Sequence, residues 1–199
     1  MSRIMFIMGK SASGKDHIYQ SLLEDKDLKL GTVTLYTTRP MREGEVDGRE
    51  YFFVDDKKAS ELEMAGKIIE LRAYNTQLGI WKYFTVDDGQ IDLESGQDYL
   101  VIGTLEAYEM YVKHYGKDQI VPIYIEVDDD IRLIRAIERE RKQKNPRYDE
   151  LARRFLADCD DFSEEKLAKN DLSRRFKNNT SLEECLASIK REVFGQAQC

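Results

Sequence analysis

The residues with the clearest chemical meaning lie near the start of the chain, in the segment Gly9-Lys10-Ser11-Ala12-Ser13-Gly14-Lys15. A Gly-x-x-x-x-Gly-Lys loop holds phosphate because its backbone N–H groups curl round the oxygens, the next helix adds its positive end, and the lysine spans the outer phosphates. The apolar run Arg3–Met8 predicts a strand before the loop, and Gly14–Leu23 has helical spacing after it. We therefore predict that all seven residues bind a nucleoside triphosphate and that Lys15 is catalytic; the alternative is a plain glycine turn with a solvated lysine.

Asp16 occupies the position where this motif usually has serine or threonine, whose hydroxyl ligates Mg²⁺. Two like charges about 4 Å apart repel by on the order of 4 kcal/mol at an effective dielectric near 20. An acid in a first helical turn gains only about 0.3–1 kcal/mol in return. Asp16 alone would therefore repel a polyphosphate, whereas with Mg²⁺ between them it becomes an oxygen ligand. We predict that Asp16 binds the nucleotide's Mg²⁺ and that nucleotide binding depends strongly on the metal.

Composition excludes several classes of protein. The 199 residues are 41% hydrophobic, which suffices for the core of one ordinary domain. With 31 basic and 38 acidic residues the net charge is −7, which disfavours broad binding to nucleic acid. No apolar run predicts a membrane span or an export signal, and three cysteines without metal-type spacing fit a reducing compartment. We expect a cytoplasmic protein with neither nucleic-acid nor membrane partners.

Strand and helix patterns predict an α/β protein. The apolar runs Tyr99–Gly103 and Ile120–Val127 are each followed by helical sequence, which is typical of a parallel sheet flanked by helices. Between this core and the first helix lie short strands separated by turn residues, which predict a small, mostly β subregion: Thr32–Thr38, Tyr51–Val54, Ile68–Tyr74 and Trp81–Val86. Further predicted elements are helices at Ala59–Gly66, Asp130–Gln143, Tyr148–Asp160 and Leu182–Phe194 and a strand at Arg174–Lys177.

The segment Thr37-Thr38-Arg39-Pro40-Met41-Arg42-Glu43-Gly44-Glu45-Val46-Asp47-Gly48-Arg49-Glu50-Tyr51-Phe52-Phe53-Val54 closely resembles the guanylate kinase family. The family pattern is T-T-R-x-P-R-x-G-E-x-x-G-x-x-Y-x-F-V, and only the proline is displaced. The resemblance extends weakly over nearly all of the chain. It implies a P-loop α/β core at 1–33, 87–134 and 156–199, a nucleotide-monophosphate-binding insertion at 34–86 and a helical lid at 135–155.

The resemblance also implies an activity and its site. Guanylate kinases transfer the γ-phosphoryl group of ATP, with Mg²⁺, to a nucleoside monophosphate, and GMP is the acceptor we favour. Arg39, Arg42 and Tyr51 would hold the acceptor phosphate, since arginine forks and a phenol suit phosphate oxygens. Glu70 would accept two hydrogen bonds from guanine, and Asn179 would lie beside adenine. The alternative for these residues is a solvated hairpin and an exposed acid at the end of a strand.

The acceptor pocket departs from the family pattern at several positions. Leu35 replaces a serine, and Leu78-Gly79-Ile80 replaces Tyr-Gly-Ser or Tyr-Gly-Thr. Ile102 and Thr104 replace the aspartates of an Asp-x-Asp pair, and we assign Thr104 to the acceptor site. Contacts to base, phosphate and metal are thus missing or supplied by other residues, and such changes shift specificity strongly. Candidates nearby are Tyr74, Thr76, Trp81 and Tyr83, although an aromatic cluster more often serves core packing.

The predicted lid is rich in arginine. Family lids place arginines over the transferring phosphoryl group, where they offset charge in the transition state. Arg154 is the best positional match, and to it we add one of Arg139 or Arg141, choosing Arg139 as catalytic. Neighbouring acids such as Glu138 and Glu140 leave a salt-bridged surface as the alternative for each arginine.

The sequence is also compatible with two other functions. The chain resembles, besides the kinases, the guanylate kinase-like domains of scaffold proteins, which lack a working phosphate loop and bind phosphorylated peptides. The intact Gly9, Gly14 and Lys15 argue against such a module, whereas the altered pocket favours it. The same alterations also favour a kinase for an acceptor other than GMP.

Overall fold

Strand β1 (Ile4–Met8) lies at the centre of the molecule, and its five side chains are fully buried. In the computed structural model, which describes residues 2–76 and 79–195, β1 pairs in parallel with a strand on each side. The resulting five-stranded sheet has the order β2-β7-β1-β8-β9, and all its pairings are parallel. The other strands are β2 (Gly31–Thr32), β7 (Tyr99–Ile102), β8 (Ile120–Glu126) and β9 (Arg175–Lys177). The predicted α/β class is confirmed.

Helices cover both faces of this sheet because β1 alternates its side chains between them. Its residues Ile4, Phe6 and Met8 pack on the side of helix α3 (Leu105–Tyr115). Met5 and Ile7 pack on the opposite side, against helices α1 (Lys15–Glu24) and α7 (Leu182–Phe194). The carboxyl end of β1 is thereby fixed between two layers, and the phosphate loop begins at that end.

A second, four-stranded sheet lies within the insertion and has the order β4-β3-β6-β5. Its longest strands form an antiparallel pair whose register shifts at a bulge between Ile68 and Glu70. Helix α2 packs on this sheet, with Ala59 buried against Phe84 and Val86. The bounds are β3 (Tyr36–Thr37), β4 (Phe52–Phe53), α2 (Asp56–Met64), β5 (Ile68–Thr76) and β6 (Gly79–Val86).

Two charged helices follow β8 and lie beside the phosphate loop. They are α4 (Asp129–Arg141) and α5 (Tyr148–Asp161), and a short helix α6 (Glu164–Lys169) leads from them to β9. A 3₁₀ turn at Lys117–Gln119 separates α3 from β8. Among the helices of residues 2–76 and 79–195, none combines the length and apolar character that crossing a membrane requires.

The structure corrects one predicted strand. Thr32–Thr38 is not continuous: the chain leaves the first sheet after Thr32 and enters the second at Tyr36. Between them the backbone of Thr34 bonds to a side chain instead of a strand, donating to Gln90 Oε1 at 2.8 Å and accepting from Gln90 Nε2 at 3.2 Å. These two hydrogen bonds satisfy the backbone N–H and carbonyl of Thr34 where the chain passes from one sheet to the other. Helix α6, with six residues and one buried side chain, lacked a periodic pattern and was missed.

Candidate active site

The loop after β1 has the backbone shape that a phosphate-binding loop needs. Ala12 and Gly14 adopt left-handed conformations, with φ of 63° and 86°, and α1 starts at the next residue, Lys15. A side chain at Gly14 would also collide with its surroundings, because a Cβ there would lie 2.5 Å from Asn178 Nδ2. The glycine is therefore required by both conformation and space.

Asn178 supports the loop from behind and was missed by the sequence analysis. Its Nδ2 donates to the carbonyl oxygen of Ser13 at 2.8 Å, and the residue is 4% exposed. It follows β9, which runs parallel to β8, so its side chain reaches the loop from the carboxyl end of the sheet. The available signal was its position directly after the last predicted strand, on the edge where the phosphate loop lies.

The neighbouring Asn179, which is predicted to lie beside adenine, links the segment after β9 to the first turns of helix α4. Its Oδ1 accepts from the N–H of Asp128 at 3.0 Å, and its carbonyl accepts from Arg135 at 3.4 Å. The residue is half-buried and adjacent to the support of the loop. Its contact with adenine stays a prediction.

A carboxylate of helix α5 already occupies one N–H group of the phosphate loop. The backbone N–H of Ser11 donates to Asp158 Oδ2 at 2.9 Å, and Asp158 belongs to α5. The cavity beside Ser11 measures about 40 Å³, which holds water but no triphosphate. A nucleotide phosphate that used this N–H group would therefore have to displace Asp158.

Arg132 holds this carboxylate in place and is a second residue that sequence reasoning missed. Its side chain is 1% exposed and bonds to Asp158 at 3.2 Å and to Asp129 at 2.9 Å. Its guanidinium also lies over the ring of Phe155 at 3.9 Å from the centroid. A buried arginine with two carboxylates and an aromatic face fixes α5 against α4 and the loop. The spacing of Asp129 and Arg132, three residues apart on a helix, was the one available signal.

Two arginines of the predicted lid lie beside the phosphate loop. Arg139 and Arg154 both line the cavity at Ser11, whereas Arg141 is not among its lining residues. Arg154 Nε donates to Glu150 at 3.0 Å, and hydrogen bonds from Arg153 and Arg154 lower the pKa of Glu150 to about 2. Glu150 therefore stays ionised and neutralises Arg154 in this conformation. The catalytic roles of Arg139 and Arg154 stay predictions.

The residues at the start of α1 fit a magnesium–nucleotide complex. Lys15 opens the helix, and the exposed Asp16 lies in its first turn. Mg²⁺ in such sites typically uses one or two carboxylates, with phosphate oxygens and water as its other ligands. Within residues 2–76 and 79–195 there is no group of three or more His, Cys, Asp or Glu able to hold a metal. The donor set thus suits a metal carried in by the nucleotide.

The predicted acceptor-phosphate residues lie together in the insertion, but Arg39 is not free. It is 4% exposed, donates to both oxygens of Glu45 at 3.0 and 2.8 Å, and lies 5.5 Å over the rings of Tyr51 and Phe53. Arg42 is exposed, and its backbone N–H also donates to Glu45 at 2.7 Å. Because of these hydrogen bonds, that from Arg39 above all, the pKa of Glu45 is lowered and it stays ionised.

Glu70 is buried in a small cavity that it shares with Arg72 and Thr85. It is 5% exposed and accepts a hydrogen bond from Thr85 Oγ1 at 2.9 Å, and Tyr111 donates in turn to Thr85 at 3.3 Å. Arg72 Nε donates to its second oxygen at 3.1 Å. Burial raises the pKa of Tyr111, so this phenol remains a donor. The network fixes the orientation of the carboxylate.

An aromatic cleft of about 350 Å³ adjoins this cavity, since Leu35 and Arg72 line both. Its size suits part of a nucleotide, and its aromatic faces suit stacking on a base. Of the candidates named from sequence, Tyr74, Trp81 and Tyr83 line it. Thr76 is a strand residue whose Oγ1 donates to the Gly79 carbonyl at 2.7 Å. The full lining is Leu35, Tyr51, Arg72, Tyr74, Trp81 and Tyr83.

The positions that departed from the family pattern have different outcomes. Leu35 lines the cleft, but Ile80 lies near the end of the β5–β6 hairpin and is 55% exposed. Leu78 lies outside the described residues. Thr104 is the N-cap of α3, where its Oγ1 accepts from the N–H of Ala107 at 3.2 Å. Its assigned contact with the acceptor stays a prediction, and the hydroxyl has a capping role that accounts for it without a ligand.

Comparisons with known proteins agree with this geometry. Residues 1–83, which include the phosphate loop and the acceptor residues, match the family model described as guanylate kinase. A guanylate kinase of Mycoplasma mobile is 29% identical over 182 residues, covering 79% of this chain and 88% of the relative. A guanylate kinase of Rhodopseudomonas palustris is 43% identical over 68 residues, covering 34% of this chain and 30% of the relative.

These matches support the guanylate kinase family for this chain. A crystal structure of guanylate kinase from Anaplasma phagocytophilum has the same fold, with a TM-score of 0.65 at 17% identity, and the match covers 98% of this chain and 85% of that one. The same matches indicate a nucleoside monophosphate kinase. The division of the chain into core, insertion and lid stays a prediction.

We predict that Asn178→Ala destabilises the protein by about 1–3 kcal/mol, because the Ser13 carbonyl loses its buried donor. The free energy of unfolding from urea titration measures this loss. Asn179→Ala is the matched control, since Asn179 is more exposed and bonds elsewhere. Equal losses in the two variants would contradict a specific role for Asn178.

We predict that Asp158→Asn binds ATP about tenfold more tightly than the unaltered chain. The asparagine removes a negative charge from the loop's N–H group, and charges at such close range are worth a factor of this order. Calorimetric titration with magnesium and ATP measures the affinity. Asp160→Asn is the control, because Asp160 is on the same helix but 81% exposed and paired with Lys166. Unchanged or weaker binding in Asp158→Asn would show that the carboxylate does not compete with phosphate.

Proposed function

We propose that the chain transfers the γ-phosphoryl group of ATP to GMP, giving ADP and GDP. The observation that carries this proposal is the buried Glu70, which is held by Thr85 in a small cavity adjoining the aromatic cleft. A carboxylate accepts hydrogen bonds and donates none, so it favours guanine, which has two adjacent N–H donors on its edge. Arg72 lines both the cavity at Glu70 and the cleft at Tyr51, a predicted ligand of the acceptor phosphate, so the two sites adjoin.

On the donor side, the N–H groups of the loop and Lys15 would hold the triphosphate of ATP. Guanylate kinases generally use Mg²⁺ with ATP, and Asp16 is the residue that would hold the metal here. The bound metal would supply positive charge to the phosphate oxygens. Lys15 would add a second positive charge at the outer phosphates, where the transferred group leaves ADP.

On the acceptor side, Arg42 and Tyr51 would contact the phosphate of GMP, and Arg39 would orient them. Arg39 is buried against Tyr51 and fixed by Glu45, so its position is set before a ligand arrives. Arg42 is exposed, and its side chain is therefore accessible to a ligand. Such fixed positioning is the main contribution a protein makes to phosphoryl transfer.

The lid would complete the site when both nucleotides are present. Arg139 and Arg154 line the cavity at the loop, so a small rearrangement brings them to a transferred phosphoryl group. Arg154 would exchange Glu150 for phosphate oxygen, which carries more charge. Closure would also exclude water, and so prevent hydrolysis of ATP without an acceptor.

The test is a coupled assay for ADP formation with magnesium, ATP and a panel of nucleoside monophosphates. We predict turnover that is fastest with GMP and that falls by at least about 100-fold in Lys15→Ala, since the lysine acts on the transferring group. Circular dichroism checks that the variant is folded. A folded Lys15→Ala variant with normal turnover would contradict the assignment of the loop.

The panel also distinguishes the other two functions. A second candidate function is a kinase for a different monophosphate. It is favoured because Leu35, which lines the aromatic cleft, stands where the family has a serine. Faster turnover with another acceptor would establish it. No turnover on any acceptor, together with tight binding of a phosphorylated peptide at the Arg42–Tyr51 site, would establish a binding module instead.

We predict that ATP binds far more weakly without Mg²⁺ than with it, because the exposed carboxylate of Asp16 then repels the phosphates. Calorimetry with ATP in magnesium and in a chelator measures the ratio of the two affinities. Asp16→Ser should reduce that ratio by strengthening binding in the chelator. Equal affinities of the unaltered chain in both conditions would rule out the role assigned to Asp16.

A further inference from the structure

Arg72 lies at the centre of the acceptor cleft, although the sequence analysis assigned it no role. It is two residues after Glu70 on β5, so both side chains are on the same face of the strand. Its Nε donates to Glu70 Oε2 at 3.1 Å and its NH2 group to Oε1 at 3.4 Å. Its side chain is 24% exposed and Glu70's is 3% exposed, so the guanidinium lies between the carboxylate and the open cleft.

Arg72 also connects the two cavities of the acceptor site. It lines the small cavity of about 30 Å³ at Glu70 and Thr85. It lines the aromatic cleft of about 350 Å³ at Tyr51 and Trp81 as well. A base that reached Glu70 from the cleft would therefore meet the guanidinium first.

The pair presents hydrogen-bond acceptors and donors side by side. Glu70 offers carboxylate oxygens, and the guanidinium has five N–H donors, of which two bond to Glu70. Guanine presents the complementary order along its edge: the N2–H and N1–H donors, then the O6 acceptor, with N7 beyond it. Arginine donating to O6 and N7 is a favoured pairing for guanine because the fork matches both atoms.

We propose that Arg72 is a base-reading residue of the acceptor site, donating to O6 and N7 of guanine while Glu70 accepts from N1–H and N2–H. The inference rests on the proposed function as a GMP kinase. The guanidinium gives up its two hydrogen bonds to Glu70, whose carboxylate Thr85 continues to hold. The arginine thereby supplies donors in a cleft where leucine stands in place of a hydroxyl.

The chemistry predicts an order of acceptors. Hypoxanthine keeps O6, N7 and N1–H but lacks the 2-amino donor, so IMP loses one hydrogen bond to Glu70. Adenine turns a 6-amino donor toward the guanidinium and an N1 acceptor toward the carboxylate, so AMP is opposed at both residues. The affinities should therefore decrease from GMP to IMP to AMP.

The experiment uses the chain's single tryptophan as its probe. Trp81 lines the cleft, so its fluorescence reports binding of each monophosphate independently of turnover. GMP, IMP and AMP are titrated into the full chain, into Arg72→Met, which keeps the apolar stem, and into Arg191→Met. Arg191 lies on α7, is 50% exposed and pairs with Glu192, so it serves as the matched control. The coupled assay with magnesium and ATP is run on the same proteins.

We expect Arg72→Met to reduce the ratio of GMP affinity to AMP affinity by about 10- to 100-fold, the discrimination that a bidentate arginine gives between bases. Arg191→Met should leave the ratio unchanged. A parallel loss for all three nucleotides would overturn the proposal, because it would place Arg72 on the ribose or phosphate. Tighter GMP binding in Arg72→Met would overturn it too, by showing that the arginine only blocks Glu70.

Failure of the proposed function is a separate result. If the unaltered chain binds GMP but transfers no phosphoryl group to it, the kinase assignment fails, while the ratio of affinities still decides the role of Arg72. If the unaltered chain binds AMP as tightly as GMP, the base-reading role is overturned whatever the turnover.

Discussion

Internal carboxylates already bind several of the groups that are predicted to contact phosphate or base. The Ser11 N–H donates to Asp158, Arg39 to Glu45 and Arg72 to Glu70. Arg154 similarly pairs with Glu150. The chain has more acidic than basic residues, with a net charge of −7. Each carboxylate holds its arginine or N–H group in position when no ligand is bound. In the proposed site, phosphate would therefore have to replace Asp158 at the Ser11 N–H and Glu150 at Arg154, and a guanine base would take the hydrogen bonds that Arg72 gives to Glu70.

This exchange limits how strongly the free site can hold either nucleotide, and it also organises the site. An arginine that has lost its partner would be free to adopt many rotamers, whereas Arg39 and Arg132 are buried and fixed. Holding them costs affinity for the ligand but preserves orientation, and orientation contributes more to phosphoryl transfer. Helix α5 is thereby linked to the phosphate loop through Asp158, and the loop that carries Glu45 is linked to the predicted acceptor residues through Arg39.

Much of this architecture follows from the sequence, for reasons that differ between elements. The buried strands were predictable because short apolar runs that end at glycine are too short for buried helices, and Leu182–Phe194 was predicted with the bounds it has. The phosphate loop was predictable because its glycines meet backbone requirements that other residues cannot. The interrupted strand at Thr32–Thr38 was not, since the side chain of Gln90 pairs the backbone of Thr34. The roles of Asn178, Asp158, Arg132 and Arg72 depend on side-chain contacts, most of them between distant segments, which periodicity does not encode.

The support of the loop by Asn178 has a consequence for how the protein is made. Asn178 and Ser13 are 165 positions apart, so the phosphate loop lacks this hydrogen bond until β9 has paired with β8. During synthesis the first strand, loop and helix therefore emerge long before they acquire their final geometry. Competence to bind nucleotide should therefore arrive only after the segment that carries Asn178 has left the ribosome and β9 has joined the sheet.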